Sequence, residues 1–519
     1  MPPVQSNNKR IAKNTIALYV RMFVNLVVSL YTSRVVLATL GIEDYGIYGV
    51  VGGIVSMFSF LNAAQSGATS RFLTYEMGKG DKKKLKDTFS SALIVHVIIA
   101  LVVIILAETI GIWFLENKLV IPEERMHAAR WVLQLSIISS FFSITQVPFN
   151  ATIIAHEKMD VYAYVEMLHV FLKLGIVYLL LMVDIDKLIL YAALVLMVTI
   201  LIAVIYLLYC IFHYEEVGLR FIWNKDIIKS LLSFSGFNLF GNMGGVFNLQ
   251  GTNFVVNMFF GVTYNAAVGV ATTVSGAIEG FASNVLTAFR PQITKDYARE
   301  DYHGFEKYID MALKVILIIY CLVAIPAFIE MDKILSLWLK EVPVCSNIFC
   351  RLMLINIFFT TMRHIITVGI HATGKVRTIS LWTGSLQILN PFVIWFLYKA
   401  GMAPQYTYVS IIFVNALLSA IDLGLLHSYV PQIRIRKLAK ACLLVLAVCS
   451  ASLLLSNYII HLMDSSISRI FVTIIICTVI TLSLSWFICL EKSQKETIKY
   501  YISNRLHRKK RIADYQKNI

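Results

Sequence analysis

The chain has 519 residues, of which 58% are hydrophobic and 15% charged, with a net charge of +15 and a mean hydropathy of +0.72. That much apolar surface cannot be buried in water by a chain of this size, which excludes an ordinary soluble globule. The basic excess would suit nucleic acid only if it gathered on a soluble face, and its placement along the chain excludes that partner.

The apolar runs are each about 20 residues or longer and lack period-two alternation, so they predict spanning helices and not barrel strands. In chain order they fall at 11–37, 45–65, 89–115, 128–154, 161–182, 188–212, 231–260, 266–289, 308–328, 348–370, 379–398, 408–427, 438–462 and 467–490. The predicted fold class is an all-α polytopic membrane protein of about fourteen transmembrane helices. The polar start carries Lys9, Arg10 and Lys13 and lacks a small-residue cleavage site, so an uncleaved first helix is expected.

With the N-terminus inside, the inner loops collect Lys82, Lys83, Lys84, Lys86, Arg220, Lys225, Arg299, Lys375, Arg377, Arg434 and Lys437, while the outer loops hold chiefly Lys118, Arg125, Lys187, Lys333, Lys340, Lys399 and Arg469. An even number of passes with both termini cytoplasmic satisfies this bias. The basic tail, with Arg508, Lys509, Lys510 and Arg511, then faces anionic inner-leaflet lipid. Trp113, Trp131, Trp223, Trp338 and Trp486 sit near span ends as interfacial anchors. Most of the eight cysteines, Cys321 and Cys449 among them, lie in apolar runs without a C-x-x-C pair and read as packing residues. Cys345 and Cys350 lie near an external loop and could pair if the geometry allows.

Polar residues inside the apolar runs mark the candidate site. On the first span, Asn14, Arg21, Asn25, Ser29 and Thr32 form one stripe at about 100° per residue. A charge there costs about 2.5–3.5 kcal/mol on insertion scales, so Arg21 either faces a cavity and an anion or snorkels to the headgroups. Arg34 lies near the outer end, where snorkelling competes more strongly. The fifth span places Glu166, His169 and Lys173 on one face, either as an internal ion pair or with Lys173 as a phosphate or sugar contact. The seventh carries Asn238, Asn242, Asn253 and Asn257 beside Gly241-x-x-x-Gly245; amides suit sugar hydroxyls and equally glue helices. On the eighth, Glu279 is the acid in a stripe with Thr272, Ser275 and Ser283, a candidate for ion coupling or a structural hydrogen bond. Arg290, Arg363 and His364 complete the cationic set, which favours an anionic substrate over a cationic drug. Glu43 and Asp44 read as turn residues of an external loop.

No phosphate-binding loop, metal-ligand spacing or cofactor motif is present, and no loop is long enough for a catalytic domain. The chain therefore reads as a protein that is not an enzyme and needs no cofactor. An internal repeat is visible instead. Leu40-Gly41-Ile42 corresponds to Phe260-Gly261-Val262, and Ala155-His156-Glu157-Lys158 to Ala372-Thr373-Gly374-Lys375, both at an offset of roughly 220. Six spans per repeat give two halves of the same orientation, related by an axis along the membrane normal. The expected division is 1–220 and 221–430 as six-helix lobes, 431–490 as two further helices and 491–519 as the basic tail.

Three stretches carry a resemblance: Thr32-Ser33-Arg34 through Leu40-Gly41-Ile42-Glu43-Asp44-Tyr45-Gly46-Ile47-Tyr48, Ser66-Gly67-Ala68-Thr69-Ser70-Arg71 before a basic loop, and Phe289-Arg290-Pro291-Gln292. The sequence resembles the polysaccharide or O-antigen (Wzx-type) flippases of the multidrug/oligosaccharidyl-lipid/polysaccharide exporter superfamily. That resemblance implies a two-lobed inner-membrane protein that moves undecaprenyl-diphosphate-linked oligosaccharide to the outer leaflet by alternating access, with membrane lipid and other polysaccharide-assembly proteins as its partners. The superfamily also contains cation-coupled drug exporters, the alternative reading.

Overall fold

The structure, a computed structural model, describes residues 4–183, 185–218, 223–463, 467–489 and Lys495; side chains of residues 4–23 and 232–238 and a few others within helices are outside the described set. α1 (Val4–Ser56) and α2 (Ser59–Lys79) come first. α1 is interrupted at Gly41, where φ 82° and ψ 169° are open only to glycine. The second pass, expected over 45–65, therefore runs from 42 to 79 with a break at Met57–Phe58. Its apolar run stops early, but a helix satisfies its own backbone whatever its side chains, so the ladder continues to Lys79.

There follow α3 (Lys82–Asn117), α4 (Glu123–Ala155), α5 (Met159–Met182) and α6 (Lys187–His213). α7 (Lys225–Val246) and α8 (Thr252–Phe260) join through a π-turn at Phe247–Gly251 and lead into α9 (Val262–Ala298). The rest are α10 (Tyr302–Ile329), the short α11 (Met331–Trp338), α12 (Ser346–Ala372), α13 (Arg377–Lys399), α14 (Tyr406–Tyr429), α15 (Ile435–His461) and α16 (Ile467–Leu484). Among the described residues there is no strand, and 11 helices are long and apolar enough to cross a membrane. The expected count of about fourteen is compatible with this, since α2, α7 and α9 are further helices of more than 20 residues. Apolar side chains elsewhere point outward, Met197 at 64%, Phe413 at 69% and Phe471 at 66% exposure, and lipid is the solvent such a surface requires.

The backbone repeats where the sequence does. Gly261 has φ 78° and ψ −177°, matching Gly41 at the corresponding helix junction. Glu157 (φ 57°) and Gly374 (φ 74°) hold the same left-handed cap after α4 and α12.

Contacts divide the chain into two units: Met1–Ala277 with Leu335–Asn356 and Lys375–Leu418, and Ile278–Ile334 with Ile357–Gly374 and Ser419–Ile519. In the first unit a Cβ on Gly46 would lie 2.0 Å from the Val262 carbonyl oxygen, so the two equivalent junctions meet backbone to backbone. α7 approaches α13 just as closely. The contact glycine is Gly244, whose Cβ would lie 2.6 Å from the Gly384 Cα, and not Gly241 or Gly245, which only flank it. In the second unit α10 is pinned at both ends, Glu306 by Arg434 (2.9 Å) and Glu330 by Arg469 (2.8 Å). Cys321 and Cys449 pair there as a disulfide with Cα atoms 6.3 Å apart. This corrects the reading of both as packing thiols; they are 128 residues apart, and only packing of α10 on α15 brings them together.

At one end of the helices of the first unit Arg125 accounts for Asp44. Its Nε and Nη2 donate to the two Asp44 oxygens (2.8 and 2.6 Å) and its Nη1 to Asp186 (2.7 Å), so Asp44 is a helical ion-pair partner and not a turn residue. Asp186 also accepts from the Leu188 and Ile189 amides, capping α6. Burial works against its carboxylate, but Arg125 and those amides outweigh it and hold the Asp186 carboxyl below its ordinary value. A carboxyl depressed in the folded state contributes stability above its unfolded pKa and loses that contribution as pH falls through the folded one. Thermal unfolding in detergent is expected to show this loss below about pH 4, and Arg125→Met is expected to cost about 1–3 kcal/mol at neutral pH and to weaken the acid dependence, the Leu188 and Ile189 amides keeping part of it. An unchanged melting profile for Arg125→Met would show that the triad does not stabilise the fold.

Candidate functional site

A cavity of about 500 Å³ lies within the first unit, walled by α1, α5, α6 and α9. α1 contributes Ser29 and Thr32, the described C-terminal part of its polar stripe, and Ser33, together with Tyr45, Tyr48 and Gly49 beyond the break at Gly41. α5 contributes Glu166, His169 and Lys173, whose spacing of three and four keeps all three on one wall. Asn265 and Thr273 of α9 face them.

Glu166 and Lys173 do not form the expected ion pair. Glu166 Oε1 accepts from the Tyr206 hydroxyl at 3.0 Å, while among the described residues Lys173 has no carboxylate within ion-pair distance. α5 packs along α1 and α6, and the buried Tyr206 of α6 reaches Glu166 first. The Lys173 ammonium is left exposed to the cavity. Three tyrosines shape the space: Tyr45 packs on Gly269 and lies 3.2 Å from the Ser33 hydroxyl, and Tyr48 meets Tyr191 edge-on at 4.7 Å. An ammonium, a histidine and a ring of hydroxyls can bind an anionic, hydroxylated group.

The other expected residues are distributed as follows. The side chains of Arg21 and Asn25, and those of Asn14, Asn238 and Ser283, lie outside the described residues. Arg34 is half-buried on α1 and does not line the cavity, and Asn242 is exposed on α7. Asn253 and Asn257 are helix glue: Asn265 donates to Asn253 Oδ1 at 2.7 Å, Asn257 donates to Asn265 Oδ1 at 2.8 Å, and the Val120 amide donates to Asn257 Oδ1 at 2.8 Å. In the second unit Arg363 is buried against Asp422 with Nε to Oδ2 3.1 Å, so an anion there would compete with a fixed carboxylate. Arg290 is exposed and within electrostatic reach of His364 and His371. Glu279 is half-buried near the Tyr320 hydroxyl.

Sequence reading missed Tyr45, Tyr48, Tyr191 and Asn265 on the cavity wall and Asp422 beside Arg363. The i, i+3 spacing of Tyr45 and Tyr48 was the available signal for the first two, whereas Tyr191 and Asp422 had none, because each meets a partner far away in the chain, and Asn265 meets Asn253 and Asn257 only because the chain turns back at Gly261.

The sequence model of the MatE family matches residues 18–179 and again 242–396, together more than half of the chain and close to the repeat offset. No curated protein sequence matches. The fold is similar to that of the lipid II flippase MurJ in an inward closed conformation, at 14% identity and TM-score 0.69 over 92% of this chain and 98% of that one. It is also similar to an inward-facing multidrug resistance MATE family transporter of the MOP superfamily, at 15% identity and TM-score 0.61 over 81% and 96%. A MOP superfamily transporter from Pyrococcus furiosus, described with a binding pocket of reverse polarity, aligns at 16% identity and TM-score 0.58 over 82% and 96%. These similar structures are transporters and flippases. With both halves matched by the family's sequence model and the fold shared with its transporters, the chain belongs to the MatE family.

Proposed function

We propose that the chain flips a lipid-linked saccharide diphosphate, of the undecaprenyl-diphosphate oligosaccharide class, from the inner to the outer leaflet of a bacterial cytoplasmic membrane by alternating access. The observation that carries this reading is Lys173 in a polar cavity walled by apolar helices, where Glu166 acts on it electrostatically but among the described residues no carboxylate lies within ion-pair distance, because a cation in such a place is costly without a close anion. Alignment with the lipid II flippase over 92% of the chain supports a lipid-linked substrate. Residues 1–220 and 221–430 would be the moving lobes, 431–490 a wall for the lipid tail and 491–519 a cytoplasmic anchor. Arg21, Asn25, Arg34, Asn242 and Arg290 would serve the path of the headgroup, and Glu166 or Glu279 would couple it to an ion gradient.

Deleting the gene tests this. Lipid-linked oligosaccharide is expected to accumulate on the cytoplasmic leaflet as surface glycan disappears, with rescue by wild type and none by Arg21→Ala at normal protein level. Altered drug sensitivity without accumulation would replace the flippase reading with that of a cation-coupled antiporter.

A further inference from the structure

The first unit holds a second cavity, of about 400 Å³, that shares Tyr48 and Gly49 with the one containing Lys173. Its chemistry is different. One wall is a run of serines on α4, Ser136, Ser139, Ser140 and Ser143, spaced so that all face one side of the helix. Opposite them, Gly49 and Gly52 present bare backbone, with nothing within 4 Å of where a Cβ would stand. Ser56, Ser59, Asn62 and Gln250 add to the polar lining, and none of the lining residues is an acid, a base or a histidine.

Several features point to a ligand. The cavity opens beside the helix break at Met57–Phe58 and the π-turn that carries Gln250, places where backbone groups leave the regular ladder and where helices commonly build binding sites. The Asn62 side-chain oxygen is buried without a hydrogen-bond partner. Ser139 donates to Thr199 (3.2 Å) and Ser140 to the Ile137 carbonyl (2.7 Å), leaving both as acceptors, while among the described residues Ser136 and Ser143 carry no such bond and can donate or accept. Alternating donors and acceptors around a space of ligand size suit hydroxyl groups. A carboxylate or phosphate would lose its hydration here with no cation in compensation.

We infer that this cavity is a subsite for uncharged sugar rings, adjoining the anion site at Lys173, so that the pair selects a neutral glycan attached to a diphosphate. The inference rests on the flippase reading and adds what that reading leaves open, the class of sugar.

The test uses full-length protein in detergent and three short-chain prenyl diphosphate probes: one without sugar, one bearing a neutral disaccharide and one bearing a uronic-acid disaccharide. Wild type is expected to bind the neutral glycosyl probe at least about tenfold more tightly than the sugar-free one, and the acidic probe no more tightly than the sugar-free one. Gly52→Leu, which fills open space, and the pair Ser136→Ala with Ser143→Ala, which only removes atoms, are each expected to abolish the tenfold gain. Both should leave sugar-free binding within about twofold. Should Gly52→Leu fail to fold, the serine pair decides alone. Sugar-free binding without a neutral-sugar gain, or a gain that survives the serine pair, overturns the subsite and leaves the flippase reading standing. Absence of binding of any prenyl diphosphate to wild type overturns both.

Discussion

Lys173→Gln is expected to reduce transport by about tenfold or more at unchanged protein level, because charge-assisted hydrogen bonds to an anion are the strong ones and Glu166, the acid that acts on this ammonium, keeps its own hydrogen bond from Tyr206 when the charge is removed. Lys173→Arg should restore a large part of the activity. Arg363→Gln makes the contrast. It leaves Asp422, which has no exposed surface, without its counter-charge, and breaking a buried pair costs about 3–5 kcal/mol. That variant should lose folded protein before it loses specific transport, and Arg363→Gln with Asp422→Asn should recover the level. Per-molecule flipping in reconstituted vesicles, normalised to folded protein, separates the two. If Lys173→Gln transports normally, the cavity does not handle an anion; if Arg363→Gln is fully stable, its pair with Asp422 is not structural.

Gly46→Val should be the most damaging single change in the first unit. A Cβ at position 46 would lie 2.0 Å from a backbone oxygen and 3.3 Å from the Ala266 nitrogen, so no side chain can rotate away to relieve it. Overpacking costs roughly 1–3 kcal/mol where neighbours yield, and here the neighbour is the backbone of α9, so the cost should reach or pass the upper end. The expected readout is a collapse in monodisperse yield and a lowered melting temperature. Gly49→Ala, three residues on and facing open space, should be near neutral or gain up to about 1 kcal/mol from lost unfolded-state freedom. Equal stability of Gly46→Val and wild type would show that the two helix junctions are not in contact.

Much of the fold was legible because a membrane imposes one-dimensional rules. Each apolar run of sufficient length must be a helix, so the helices at Lys82–Asn117 through Lys187–His213 lie within a few residues of the sequence reading. Hydropathy failed where a pass is polar, as in α2, whose helix outlasts its apolar run. Of the faint repeat, the structure shows the conformational element: Gly41 and Gly261 share a backbone geometry that only glycine adopts.

The candidate site was half legible. Helical spacing alone put Glu166, His169 and Lys173 on one face of α5, and Ser29 and Thr32 on one face of α1. What those faces meet was decided by tertiary structure. Tyr206 takes Glu166 and leaves Lys173 to the cavity, Asp422 neutralises Arg363, and Asn265 turns Asn253 and Asn257 into packing contacts. The physical reason is range: hydropathy and periodicity are properties of neighbouring residues, whereas the pairing of a buried polar group depends on whichever helix packs against it, 40 residues away in the chain for Tyr206 and 59 for Asp422.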